Sequence, residues 1–341
     1  MKAILHTEYG GPDVLRLADL PTPTPKPNEI LVRVRAAALN PVDWHLYRGI
    51  PFPVRMMVGG LQRPKRPRAV GGDFAGTIAA IGSDVTGAAV GEPVYGYIEG
   101  GALAEYLVVP ADKVAPKPER LTFEQAAAVP LAAMTSLQML RKAKLQSGHR
   151  VLIIGAAGGI GSFAVQIAKA WGAHVTGVQS TSALDLVRSL GADEAIDYTK
   201  EDFTTGDTRY DLVFDNVCSR ALPDVLRVMK LSGTLIPNGG GSPDKSVMGG
   251  ALRLLATKPF ISQKILMGVT KPNRVDLMEL ARMIQEGVIA PVVDRCYPMA
   301  AAADAFRELE AGHVHGKIVV LVGPPEDPQR TAPKPPEPRK V

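Results

Sequence analysis

An apolar strand that runs straight into a glycine turn and then a helix constrains this chain more than any other stretch. Residues Val151-Leu-Ile-Ile-Gly-Ala-Ala-Gly-Gly-Ile-Gly161 supply the strand and turn, and an amphipathic run through Trp171 supplies the helix. Small residues in such a turn let backbone approach a ligand closely. The first turn of the helix adds unpaired N–H groups and a favourable dipole. The Gly-x-Gly-x-x-Gly spacing reads here as Ala156-x-Gly158-x-x-Gly161, with Gly155 just before it. Placed between strand and helix, this turn predicts a dinucleotide pyrophosphate site formed by Ala156, Ala157, Gly158, Gly159, Ile160 and Gly161.

The surrounding sequence repeats the same rhythm. Strand candidates fall at 151–154, 174–178, 195–198, 211–217 and 234–237, with helical patterns between several of them. One such pattern places Leu186, Val187 and Leu190 on one face, with Gly191 as the stop signal. Alternation of this kind predicts a doubly wound parallel sheet, so the fold class is α/β. Thr122 and Gln125 have capping-box spacing ahead of a long Ala/Leu-rich helix that runs towards Gly148. Residues 1–120 read as all-β, in short runs punctuated by Gly and Pro. Pro21, Pro23, Pro25 and Pro27 make an extended connector within that part. Beyond residue 274, two helices and two strands complete the folded chain, and 324–341 is a Pro-rich stretch read as a flexible tail.

At 341 residues the chain is too long for one ordinary core, and two domains are expected. No segment reaches the roughly 20 apolar residues that span a bilayer. The polar opening stretch and the two cysteines, Cys218 and Cys296, give an expectation of a cytoplasmic protein without a disulfide framework. The formal net charge of +5 comes from scattered residues, apart from Arg63, Lys65, Arg66 and Arg68. That run lacks interleaved aromatics for stacking bases, so it is read as a solvated loop and no nucleic-acid partner is expected.

The end of the second strand bears on which dinucleotide binds. An NAD site places Asp or Glu there, for the ribose hydroxyls. Here the strand ends Val178-Gln179-Ser180-Thr181-Ser182. Without a carboxylate, three hydroxyls are left to donate to a 2′-phosphate, and the expectation is NADP(H). Thr181 or Ser182 could equally cap the following helix.

In these residues the chain resembles the zinc-free quinone-oxidoreductase branch of the medium-chain dehydrogenase/reductase superfamily. The match runs in order through Ala36-Ala-Ala-Leu-Asn-Pro-Val-Asp43, Gly71-Gly-Asp-Phe-Ala-Gly76, Gly101-Ala-Leu-Ala-Glu-Tyr106, Val129-Pro-Leu-Ala-Ala-Met-Thr135, the glycine turn, Leu190-Gly-Ala-Asp193 and Gly316-Lys317. The resemblance implies a GroES-like β-rich catalytic domain over 1–120 and a Rossmann NADP(H)-binding domain over 121–274. Residues 275–323 would complete the catalytic domain. It places Thr135, Val217, Asn238, Gly239 and Gly240 beside the nicotinamide half, and Ser180, Thr181, Ser182 and Tyr198 near the adenosine phosphate. Lys317 would reach the cofactor side of the cleft. It also suggests a homodimer.

Zinc dehydrogenases of this superfamily hold their metal with Cys and His. The first of those positions falls at or next to Asn40, and the usual Gly-His-Glu reads Gly71-Gly72-Asp73. Neither cysteine has a ligand partner at suitable spacing, so no metal is expected. Hydride transfer to a quinone or an α,β-unsaturated carbonyl then fits better than alcohol oxidation, because developing charge can rest on an oxygen held by hydrogen-bond donors. Candidate polar groups are Asn40, Asp43, His45 and Tyr47, with Trp44 either packing in the core or walling the acceptor site. A narrower enoyl-thioester or enal reductase, and an NADPH-binding protein with little turnover, are the competing readings.

Overall fold

The computed structural model describes residues 1–58, 60–64, 67–239 and 261–323. Gly240, the tail from residue 324, and Lys65 and Arg66 of the basic stretch lie outside the described residues.

Side chains alternate across a strand, and strand Arg150–Ile154 uses both faces. Val151 and Ile153 enter one core cluster with Phe163 and Ile167 of the helix after the glycine turn. Leu152 and Ile154 enter another, with Val178, Val213 and Val225. A strand buried on both sides sits at the centre of a sheet. Its neighbours are all parallel, and the six strands of this sheet lie in the order Glu194–Asp197, His174–Gln179, Arg150–Ile154, Tyr210–Asp215, Met229–Pro237, Lys264–Ile265. Chain order therefore reverses between Arg150–Ile154 and Tyr210–Asp215. In open α/β sheets this switch point opens a crevice at the strands' carboxyl ends.

The N-terminal part builds a seven-stranded sheet in which Glu29–Ala38 pairs antiparallel with Asp73–Ile81. Strand Lys317–Leu321, from the far end of the chain, pairs on the other side of Glu29–Ala38, and Val293–Pro298 pairs beyond it. A separate small sheet joins Lys2–His6 to Arg16–Asp19 and Arg68–Ala69. The first 120 residues are not all strand: Pro41–Arg48 and Pro53–Val58 are helices. Pro41 occupies the first helical position, where its missing N–H costs nothing, and Gly49 closes the helix in a left-handed conformation.

The helical region after Leu121 is also split. Thr122 caps Phe123–Ala127 by accepting the Gln125 N–H at 3.2 Å, and Gln125 returns the bond to the Thr122 N–H. Pro130 then starts a second helix, Pro130–Lys142, which ends before the expected stop at Gly148. The largest core cluster joins Ala36, Ala75 and Tyr95 of the barrel-like sheet to Met134, Phe163 and Leu280. The two sheets are thus welded through helix Pro130–Lys142. No helix among the described residues is long and apolar enough to cross a membrane.

Candidate active site

The glycine turn at the switch point is held too tightly for side chains. A Cβ on Gly161 would lie 2.1 Å from the Gly155 carbonyl oxygen, and Gly155 itself has φ +74° with Val217 over it. Helix Gly159–Ala170 begins with Gly158 in an extended conformation. The Ser162 N–H donates to the Gly158 carbonyl at 2.9 Å, which leaves the N–H groups of Gly159, Ile160 and Gly161 for a ligand, as at any helix start. Backbone donors, helix dipole and close approach together suit the pyrophosphate of a dinucleotide.

From this turn the chain reaches directly into the other sheet. The Gly316 N–H donates to the Ala157 carbonyl at 2.7 Å. At Gly316, φ is +89° and a Cβ would lie 2.4 Å from the Val292 carbonyl oxygen, so only glycine fits. Lys317 follows, with its methylene stem against Gly159. It is 5% exposed. Its ammonium donates to Asn40 Oδ1 and to Asp73 Oδ2, the latter at 3.1 Å. Asn40 Nδ2 donates to Asp73 Oδ2 at 2.9 Å, and Asp73 Oδ1 accepts the Leu131 N–H at 2.8 Å. Asp73 therefore sits at the positive end of helix Pro130–Lys142, where a carboxylate is favoured. Asp43, on helix Pro41–Arg48, accepts the Asn40 N–H at 2.8 Å. Burial, reinforced by the nearby Asp73 carboxylate, raises its carboxyl to about 7, against the lowering effect of the Asn40 N–H and Lys317.

This cluster gathers Asn40, Asp43 and Lys317, but not the other two candidates. Tyr47 is buried and its hydroxyl donates to Glu310 at 2.6 Å. Arg48 grips the same carboxylate with two bonds of 2.7 Å. Burial and Glu310 push the Tyr47 phenol well above its ordinary range, so it serves as a tie to helix Ala302–Ala311 and not as a proton donor. His45 stacks on Trp44 with ring centroids 3.7 Å apart and its Nδ1 bonds the Ile50 carbonyl at 2.7 Å. Trp44 itself is buried in the barrel-side core. Asn40 also differs from expectation: both ends of its amide are engaged, by Lys317 and Asp73, so it orients these charges instead of meeting an acceptor oxygen.

On helix Pro130–Lys142, the Thr135 hydroxyl donates to the Leu131 carbonyl at 2.7 Å and lies 2.6 Å from the Thr270 hydroxyl. With the Thr135 proton so used, the Thr270 proton completes that contact. Thr270 was not evident in the sequence, because it is a lone threonine beyond the last strand of the parallel sheet. Asp215 Oδ1 takes the N–H groups of Val217 and Cys218 at 3.0 and 2.8 Å. The turn so made leaves Val217 44% exposed. Asn238 Nδ2 donates to Asn216 at 3.3 Å, and Gly239 packs against Cys218. Burial and Asp215 push the Cys218 thiol up to about 11, so it stays protonated at neutral pH.

Parallel pairing adds to strand His174–Gln179 a group that its own sequence lacks. That strand ends without a carboxylate, but its neighbour delivers one: Asp197 stands in register with Gln179. Thr181 donates its hydroxyl to Asp197 Oδ2, and Ser180 and Ser182 lie 3.3 Å apart, oxygen to oxygen. No side-chain capping bond forms at the start of the following helix, Leu184–Ser189. Tyr198, next in the chain, is half exposed.

Residues 26–119 match the family described as "Alcohol dehydrogenase GroES-like domain", and 190–320 match the one described as "Zinc-binding dehydrogenase". The chain is 36% identical over 334 residues to the 2-methylene-furan-3-one reductase of Solanum lycopersicum, covering 94% of this chain and 79% of that protein. It is 36% identical over 339 residues to the chloroplastic NADPH-dependent alkenal/one oxidoreductase of Arabidopsis thaliana, with the same coverage of 94% and 79%. The solved quinone oxidoreductase of Coxiella burnetii superposes with a TM-score of 0.84 at 31% identity, covering 95% of this chain and 99% of that one. With a GroES-like sheet, a Rossmann sheet and these relatives, the chain belongs to the zinc-free quinone-oxidoreductase branch of the medium-chain dehydrogenase/reductase superfamily.

Proposed function

We propose that this chain is a zinc-independent reductase that uses NADPH to reduce a quinone or an α,β-unsaturated carbonyl. The observation that carries this reading is the direct junction of the glycine turn with the buried Lys317–Asn40–Asp73 cluster, through the Gly316 N–H on the Ala157 carbonyl. The turn and its helix N-terminus would hold the pyrophosphate, and Thr135, Thr270 and Val217 would border the nicotinamide. When bound, the reduced nicotinamide supplies the hydride. Lys317 gives two of its three N–H donors to Asn40 and Asp73, and the remaining one would donate to an acceptor oxygen as negative charge develops there. Asn40 and Asp73 keep that ammonium from reorienting. The hydroxyl of Tyr47 and Nδ1 of His45 are committed to Glu310 and to the Ile50 carbonyl, so neither supplies the proton that completes the reduction, which comes from water or from another nearby side chain.

Zinc independence is supported by the side chains at the ligand positions. Asn40 and Gly72 offer no thiolate or imidazole, and a lysine ammonium already neutralises the carboxylate beside them. The two plant relatives are named for enone-type acceptors, which favours the enone over the quinone as substrate. A homodimer through the Lys264–Ile265 edge of the parallel sheet is supported by that strand's place at the end of the sheet, with one side unpaired among the described residues.

The test is acceptor-dependent loss of NADPH absorbance at 340 nm with a simple enal and with 9,10-phenanthrenequinone, in the presence and absence of a chelator. Turnover on either acceptor that is unchanged by chelation is expected. Binding of NADPH without turnover on either would overturn the broad quinone or enone reading, in favour of a narrower acceptor or an NADPH-binding role.

A further inference from the structure

Asp197 is 5% exposed, yet it stands at the carboxyl end of strand Glu194–Asp197, level with the end of strand His174–Gln179. It is the carboxylate that a survey of the second strand alone would miss. Its Oδ2 accepts the Thr181 hydroxyl, and its Oδ1 accepts the Thr199 N–H at 3.0 Å and the Thr199 hydroxyl at 2.6 Å. The Lys200 ammonium, on a side chain 68% exposed, lies 3.5 Å from Oδ2. Arg188, on the following helix, is spent on Asp185 at 2.8 Å.

We propose that Asp197 sets nucleotide discrimination in this chain, holding the preference for NADPH so low that NADH is also accepted. The proposal rests on the dinucleotide reading above. The Thr181 proton is committed to Asp197, so Thr181 cannot donate to a 2′-phosphate while that bond stands. A phosphate entering beside Thr181 meets the Asp197 carboxylate as well as the Lys200 ammonium, so the attraction of the one is offset by the repulsion of the other. An uncharged ribose 2′-hydroxyl, in contrast, meets no charge repulsion from that carboxylate. The four interactions on Asp197 hold its carboxyl at about 2, so the charge is present throughout the physiological range.

Fluorescence titration of the full-length protein with NADPH and with NADH tests this without requiring an acceptor. The wild type is expected to bind the two with Kd values within about tenfold of each other. Asp197→Asn removes the negative charge that opposes a 2′-phosphate, and is expected to move the Kd ratio about tenfold towards NADPH. Lys200→Gln, at an exposed site where folding is not at issue, is expected to move it about threefold towards NADH, with the shift fading at high salt. A ratio unmoved by both substitutions, or a wild type that binds NADPH more than about a hundredfold tighter, would overturn the proposal. Failure to bind either nucleotide would overturn the dinucleotide reading itself, an outcome distinguishable from an unmoved ratio.

Discussion

A carboxyl group shut away from water beside a second carboxylate keeps its proton to a higher pH than one on the surface. Asp43 is such a group, moved from 3.8 to about 7 by burial and the nearby Asp73 carboxylate, with the Asn40 N–H and Lys317 opposing the rise. The folded protein thus binds this proton more tightly than the unfolded chain does. The cost to stability is absent below about pH 4, grows as pH rises, and is complete above about pH 7. A shift from 3.8 to about 7 corresponds to about 4 kcal/mol as an upper bound. Asp43→Asn keeps an oxygen to accept the Asn40 N–H and has no charge to bury. Urea unfolding at pH 8 is expected to show the variant more stable than the wild type by up to that amount, with the advantage vanishing near pH 4. A difference that does not vary with pH would show that Asp43 stays ionised in the fold.

At the scale of elements, the glycine turn makes unequal demands on its members. A Cβ on Gly161 meets the Gly155 carbonyl oxygen at 2.1 Å, a backbone atom that cannot swing aside, whereas one on Gly158 meets the same oxygen at 3.4 Å, an ordinary contact. Gly161→Ala is expected to lose about 1–3 kcal/mol, the usual scale of overpacking, and to lose nucleotide binding with it. Gly158→Ala is expected to change stability by less than about 1 kcal/mol. Thermal unfolding with and without NADPH checks both, and equal losses would show that the strand-to-helix approach is looser than this geometry. The helix Pro41–Arg48 rests on a comparable long-range tie, since Glu310 accepts from both Tyr47 and Arg48 across more than 260 residues of chain. That tie explains why a tyrosine resembling a catalytic donor is a structural one.

Across the whole molecule, Lys317 joins parts that are distant in sequence. It belongs to the strand that joins the C-terminal segment to the N-terminal sheet, its stem covers Gly159, and its charge is shared by Asn40 and by Asp73, which in turn caps helix Pro130–Lys142. Removing one partner from a buried ion pair costs about 3–5 kcal/mol, because the other is left unpaired. Lys317→Met is expected to destabilise by that amount in urea unfolding and to weaken nucleotide binding. Arg282→Gln, which breaks an exposed helical pair with Glu286, is expected to cost less than about 0.5 kcal/mol. Similar losses for the two would mean that Lys317 is not a junction between the sheets.

Local pattern sufficed where a feature depends on neighbours in the chain. The glycine turn, the alternating strands and helices, the Thr122–Gln125 cap and the connector at Pro21–Pro27 all follow from short-range sterics and periodicity, and were legible residue by residue. The order of motifs along the chain was enough to name the family. What the sequence could not disclose was which polar groups are already spoken for. Tyr47 looks available until Glu310 arrives from the far end of the chain, Asn40 until Lys317 and Asp73 take both ends of its amide. The loop at Ser180–Ser182 reads as free of carboxylate until parallel pairing sets Asp197 beside it. Hydrogen-bond commitment and the desolvation of charge depend on partners tens to hundreds of residues away, and only the tertiary structure brings those partners within bonding distance.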